Sequence, residues 1–331
     1  MKKKYKLLIS ILFIIMLVAG VFIYENDYAM QEKDVTIRTE QGDLAGFVAL
    51  PEEKNEGVVI FVHGDGAQNA TQDGGYKPLM ERFAKQGYAS VSWDKPGVGK
   101  STGNWLDQTM DERAQEVEEV MEWAENQDDI NTEKIILWGA SQAGWVIPKV
   151  QQEREDVTAS ILVGPAINWL RQGAYNTTEE MKSEGKTEDE IMQVLNKDKK
   201  ESDFIRAGAS YEDYIEETAD DSLSEERYAF VQKNILADAT KDIEKIESPV
   251  HIVLAENDLN VDSNETEKTY KQLLPKSQLT VRIISGVGHS MLNPALHESQ
   301  FLTYLSAVVA PKDTLISEEY LDYCEELIRH M

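Results

Sequence analysis

A chain of 331 residues, 41% of them hydrophobic, can bury a sizeable core in one large domain or two. Its formal net charge of −27 argues against a phosphate-seeking surface, so nucleic acid is not an expected partner. The single cysteine, Cys324, excludes an internal disulfide, and its place in the helical pattern "SEEYLDYCEELIRH" reads as a half-buried, inert thiol.

The N-terminus comes first in chain order. "MKKKYK" precedes "LLISILFIIMLVAGVFIY", residues 7–24, which carries no charge. At about 1.5 Å per residue such a run reaches roughly 27 Å, enough to cross a hydrocarbon core. Lys2, Lys3, Lys4 and Lys6 should stay cytoplasmic, so the expectation is a single-pass cell-membrane protein with its remainder on the extracytoplasmic side. The rival is a cleaved signal peptide and a secreted product. The apolar run is long for that, and no A-x-A site follows it.

"DVTIRTE" and "LAGFVAL" alternate apolar and polar around Gln41-Gly42, as a hairpin does. "GVVIFVHG" reads as a strand covered on both faces, "YKPLMERFAKQG" as a helix, and "YASVSWD" as a strand. "MDERAQEVEEVMEWAENQ" is an amphipathic helix; the strand "EKIILWGA", a helix from "QAGWVIPKV" and the strand "VTASILVGP" follow. From about Asn168 to Ser248 no buried strand is legible, only helix-spaced apolar residues in "TEEMKSEGKTEDEIMQVLNK", "SYEDYIEETAD" and "SEERYAFVQKNIL". Its acids read as a solvated surface, and its length as a lid over a pocket. Alternation resumes with "PVHIVLAEND", "NETEKTYKQLL", "QLTVRIISG" and "HESQFLTYLSAVV". The expected domains are an anchor or signal segment at 1–25, an α/β core at 34–167 and 249–331, and a helical cap at 168–248. An open, mostly parallel sheet places its site at the carboxyl ends of its strands.

The chemistry starts at "WGASQAGW". Ser141 stands at a strand-to-helix junction, and Gly139 and Ala143 occupy the positions two before and two after it. A turn tight enough to lift a hydroxyl above the sheet tolerates only small residues there, and G-x-S-x-A in this context reads as a nucleophile elbow. The serine needs a base. His251 lies inside a strand and reads as core, His297 begins a late helix, His330 is terminal, and His63 closes a strand where it reads as a loop brace. His289, in "SGVGHSML" after the last strand, can swing over the sheet as general base. A carboxylate must hold its tautomer, and "LAENDLNVD" offers Glu256, Asp258 and Asp262; Asp258 is preferred and Asp262 is the runner-up. Oxyanion donors are expected from the backbone N–H of Gln142 and, within "HGDG", of Asp65. "WDKPGVGKSTG" reads as a glycine turn tied by Asp94 and Ser101; it lacks the earlier spaced glycine of a phosphate loop, and no metal or cofactor is expected.

Together, "FVHGDG…YKPLMERFAKQGYASVSWDKPGVGKSTG…KIILWGASQAGW…LAEND…GVGHS" resembles the α/β-hydrolase superfamily, near its serine aminopeptidase-like and EstD-type esterase group, over roughly residues 35–310. The resemblance implies a helical cap after the sixth strand, Ser141, Asp258 and His289 as triad, Gln142 and Asp65 as oxyanion-hole positions, and no cofactor. Members hydrolyse esters, thioesters or peptides. The expected activity is therefore carboxylic ester hydrolysis, on short to medium acyl groups, through an acyl-enzyme. The alternatives are an aminopeptidase on short exported peptides, with Glu179 or Glu216 pairing a substrate ammonium, and a catalytically silent, membrane-tethered binding protein.

Overall fold

The computed structural model describes every residue except 1, 54, 220, 221, 297 and 298. An apolar helix, α1 (Lys2–Asn26), leads into an antiparallel hairpin, β1 (Gln31–Thr39) and β2 (Gly42–Leu50). Then follow β3 (Gly57–Val62), α2 (Lys77–Lys85), β4 (Tyr88–Trp93), α3 (Met110–Glu125), β5 (Ile135–Ala140), α4 (Ile147–Glu153) and β6 (Val157–Val163). Five helices come next: α5 (Trp169–Ser183), α6 (Glu188–Arg206), α7 (Tyr211–Thr218), α8 (Glu225–Asn234) and α9 (Thr240–Ile243). The chain closes with β7 (Val250–Ala255), α10 (Ser263–Leu273), β8 (Leu279–Ile284), α11 (Gln300–Val309), α12 (Pro311–Thr314) and α13 (Glu318–Arg329).

One eight-stranded sheet runs β1-β2-β4-β3-β5-β6-β7-β8. β2 pairs antiparallel with β1 and β4, and every later pairing is parallel. Successive side chains of a strand point to opposite faces. On β3, Val58, Ile60 and Val62 join the core formed with α3, α4 and α10, whereas Val59 and Phe61 join the core under α2 and α13. β5 divides likewise, with Ile135 and Leu137 on one side and Ile136 and Trp138 on the other. Covered faces explain the unbroken apolar runs of these strands. This is an α/β-hydrolase fold.

Local chemistry sets the helix ends. Thr109 and Glu112 form a reciprocal capping box at the start of α3. The stretch "TEEMKSEGKTEDEIMQVLNK", read as one helical pattern, is two helices. Gly185, at φ +76°, turns the chain out of α5, and Thr187 with Glu190 caps α6. The helices between β6 and β7 share a small core of their own, with Ile205, Tyr214, Tyr228 and Ile235 at its centre. After Ser141 the chain runs as a 3-10 turn, Ser141–Trp145, before α4 starts with Pro148 in its first turn.

Three expectations need correction or limits. Cys324 is fully buried rather than half-buried, because Tyr320, Cys324 and Ile328 lie four apart and press one face of α13 onto the sheet; burial pushes its thiol up to about 12. His251 is only half-buried, its Nδ1 2.6 Å from Thr280 Oγ1. The helix read from His297 is described from Gln300 onward, and His297 lies outside the described residues. α1 is long and apolar enough to cross a membrane by length and composition.

Candidate active site

β5 delivers Ser141 with φ +55°, a left-handed backbone rare for a residue with a side chain. The small neighbours have a physical cause. A Cβ on Gly139 would stand 2.6 Å from both Ala143 Cβ and Ile147 Cδ1, and 3.0 Å from Val62 O. One on Gly144 would stand 2.8 Å from Ala166 O. The turn is wedged between β3 and the start of α4, and alanine already fills position 143. The loop after β3 passes beside the serine, since a Cβ on Gly64 would lie 3.5 Å from Ser141 Cβ.

His289 follows β8, and its Nδ1 is 2.8 Å from Oδ2 of Asp258, whose carboxylate is buried past the end of β7. The other oxygen, Oδ1, accepts the backbone N–H groups of Asn260 (2.8 Å) and Val261 (2.9 Å). The remaining acids of that loop are occupied elsewhere. Asp262 caps α10 by accepting from the N–H groups of Asn264 and Glu265, and Glu256 accepts from Ser285 Oγ and Gly286 N. Gly164, at φ +50° after β6, lies beneath the pair; a Cβ there would be 3.3 Å from Asp258 Oδ2 and from His289 Nδ1. Sequence reasoning passed over Gly164, although a glycine directly after an apolar strand was a usable signal. Tyr175 of α5 donates to the Asp258 carbonyl at 2.8 Å.

Ser141 and His289 line one cavity of about 500 Å³. Leu79, Trp138, Val163, Met291, Leu315 and Ile316 give it an apolar side, and Asp65, Gln68 and Tyr76 a polar one. Among the described residues, none that lines it comes from 168–248, and the segment after His289 supplies one wall. Among the described residues, Ser141 Oγ makes no hydrogen bond within 3.5 Å, and no acceptor is found for the backbone N–H of Asp65 or of Gln142.

A chain of side chains that sequence reasoning missed joins these last two residues. Arg227 of α8 donates to both Asp65 carboxylate oxygens, at 3.0 and 2.6 Å. Asp65 Oδ1 also accepts from Gln142 Nε2 at 3.0 Å, Gln142 Oε1 accepts from Arg113, and Arg113 donates to His63 O at 2.7 Å. Lys95 donates to the carbonyls of Gly64 (2.6 Å) and Gly66 (3.0 Å), which flank Asp65. The glycine turn after β4 is tied as expected: Ser101 Oγ donates to Asp94 O at 2.7 Å and accepts from Ala45 N at 2.8 Å.

His63 is buried beside that loop, its Nε2 2.5 Å from Trp93 O. Burial, aided by the positive charge of Lys95, lowers its pKa to about 3. The unfolded chain therefore binds a proton at His63 that the folded chain refuses between pH 6.5 and about 3. His63 contributes full stability above pH 6.5 and loses it as pH falls through that window, on the order of 5 kcal/mol in all. Urea midpoints should drop between pH 7 and pH 4 by more in the wild type than in His63→Gln. Parallel titrations would rule this out.

Residues 53–295 match the profile of the family described as serine aminopeptidase, S33. No curated protein sequence matches the chain significantly. An esterase from Pyrococcus furiosus is similar in structure at 17% identity, covering 91% of each chain with a TM-score of 0.58. Est1E from Butyrivibrio proteoclasticus, solved with ferulic acid bound, is similar at 17% identity over 89% of this chain and 96% of its own, TM-score 0.56. The α/β hydrolase GrgF from a Penicillium species is 17% identical over 89% of this chain and 98% of its own, TM-score 0.56. At such identities the likeness carries the fold, and the family rests on the profile. With an elbow serine, a buried acid–histidine pair and an eight-stranded sheet beneath them, this chain belongs to the serine aminopeptidase S33 family of α/β-hydrolases.

Proposed function

We propose that the chain is a carboxylic ester hydrolase that acts through an acyl-enzyme. One observation carries the reading: an elbow serine and a histidine held by a buried carboxylate line the same partly apolar cavity. Ser141 Oγ attacks the ester carbonyl while His289 Nε2 takes its proton. The C–O bond to the alcohol then breaks and the alcohol leaves with that proton. Water, deprotonated by His289, attacks the acyl group, and the proton returns to Ser141 as the acid departs. The free N–H groups of Asp65 and Gln142 receive the oxyanion. Ser141 and His289 come into hydrogen-bonding reach as substrate fills the cavity, a tightening common to such sites.

The substrate is an uncharged ester rather than an aminoacyl amide. Among the described residues one carboxylate lines the cavity, that of Asp65, and it is already paired with Arg227. Of the two acids expected to meet a substrate ammonium, Glu179 pairs with Lys182 at 2.7 Å, Glu216 is exposed, and neither lines the cavity. Helices α5–α9 act in this reading as a cap that braces the site from outside, through Tyr175 and Arg227. Helix α1 stays in the bilayer as an anchor, with the catalytic part on the extracytoplasmic side. A panel of p-nitrophenyl esters from acetate to octanoate, set beside aminoacyl p-nitroanilides, tests the substrate class. Ester turnover without nitroaniline release is expected, and the reverse pattern would refute it.

Arg227 acts by positioning. Burial opposes ionisation of Asp65, but hydrogen bonds and charge from Arg227 hold its carboxyl below the usual carboxylate value, so the pair persists at neutral pH. Arg227→Met should lower kcat about tenfold with KM nearly unchanged, because the loop bearing the Asp65 N–H loses its clamp. Arg227→Lys should recover part of the loss. An effect on KM alone would instead make Arg227 a substrate contact.

A further inference from the structure

Helix α11 is amphipathic the wrong way round for a water-soluble surface. Phe301, Tyr304, Leu305 and Val308 recur at helix spacing, and all four are exposed, Phe301 and Tyr304 at 70% and 71%. The residues turned inward include Thr303 and Ser306. From Ser299 to Pro311 no residue is charged. A contiguous apolar face of this kind marks an interaction surface, not an ordinary solvated one.

Its location says what covers it. α11 and α12 pack against α1, the helix able to cross a membrane. Lys312 fixes the junction: its ammonium is 2.8 Å from Glu81, donates to Asp27 O at 2.9 Å, and lies over the rings of Tyr24 and Tyr28 at 5.3 and 5.5 Å. Glu81 also accepts from Ala29 N at 2.8 Å. The end of α1 is thus held against the body instead of joined by a loose linker. Tyrosines beside a lysine are what a chain places at the headgroup level.

We infer that the outer face of α11 is seated in the lipid interface beside α1, as a second, non-spanning contact between the protein and the bilayer. The inference rests on the reading of α1 as a retained anchor. Its consequence reaches the cavity, because the excursion carrying α11 and α12 is stapled at the cavity wall. Leu292 pairs with Ile316, Asn293 N donates to Leu315 O at 3.0 Å, and Leu292, Leu315 and Ile316 line the cavity. A seated α11 therefore holds that wall at a set height over the membrane.

The test uses the full chain in phosphatidylcholine vesicles, with one cysteine introduced at a time: Phe301→Cys, Tyr304→Cys, Thr303→Cys or Ser306→Cys. Each is labelled with an environment-sensitive fluorophore; buried Cys324 stays unlabelled. Spin-labelled phosphatidylcholine should quench the labels at 301 and 304 at least about threefold more than those at 303 and 306. Equal quenching at all four positions would overturn the inference. So would excimer formation between labels at 304 without lipid quenching, which would assign the face to a second copy. Flotation separates the two readings. Protein that leaves the vesicles overturns the anchor and this inference together, whereas floating protein with position 304 unquenched overturns this inference alone.

Discussion

Ser141→Ala should abolish ester hydrolysis, lowering kcat/KM at least about 10⁴-fold, while the fold survives. The hydroxyl is the only group the substitution removes, and it makes no hydrogen bond within the protein among the described residues. No buried partner is left unsatisfied, so the stability change should stay within about 0.5 kcal/mol. Alanine also accepts the left-handed backbone of the turn, as Ala219 at φ +52° illustrates. The comparison is informative because activity and stability should separate completely. Steady-state kinetics on p-nitrophenyl butyrate and a urea titration, run on both proteins, check it. Residual turnover near the wild-type value would remove Ser141 from the mechanism.

Asp258→Asn should cost about as much, roughly 10⁴-fold in kcat. The carboxylate is acceptor-only, taking two backbone N–H groups on Oδ1 and the His289 ring on Oδ2. An asparagine can satisfy one side or the other. If its oxygen keeps the N–H groups of Asn260 and Val261, its NH₂ faces His289 Nδ1. The ring then carries its proton on Nε2, where it cannot accept one from Ser141. Asp262→Asn is the matched control. Asp262 only caps α10, asparagine caps nearly as well, and activity should remain within about twofold. Equal losses in the two variants would contradict the assignment of the acid.

Much of this was legible from local pattern. The unbroken apolar runs of β3 and β5, the elbow at Ser141 and the glycine-flexed loop around His289 each declare themselves within about ten residues, because tight turns and covered strands constrain their own neighbours. Asp258 was preferred to Asp262 from its place just past the strand, but both stand in one polar loop, and the fold shows which of them faces a histidine 31 positions onward. The line from Arg227 through Asp65 and Gln142 to Arg113 left no trace for the same reason: its members come from four separate elements, and Arg227 stands 162 residues from Asp65. The cavity wall after His289 was also hidden. Met291, Leu315 and Ile316 look like ordinary core residues in the sequence, whereas the length of the acidic segment at 168–248 reads as a lid.

The central claim is that His289, oriented by Asp258, activates Ser141. Fluorophosphonate labelling of the full chain, read by mass spectrometry of the modified peptide, addresses it most directly, because the probe reacts with an activated serine and needs no knowledge of the substrate. The wild type should give an adduct on Ser141, slowed at least about 100-fold in His289→Ala and absent in Ser141→Ala. An unlabelled wild type, or labelling at an unchanged rate in His289→Ala, would contradict it.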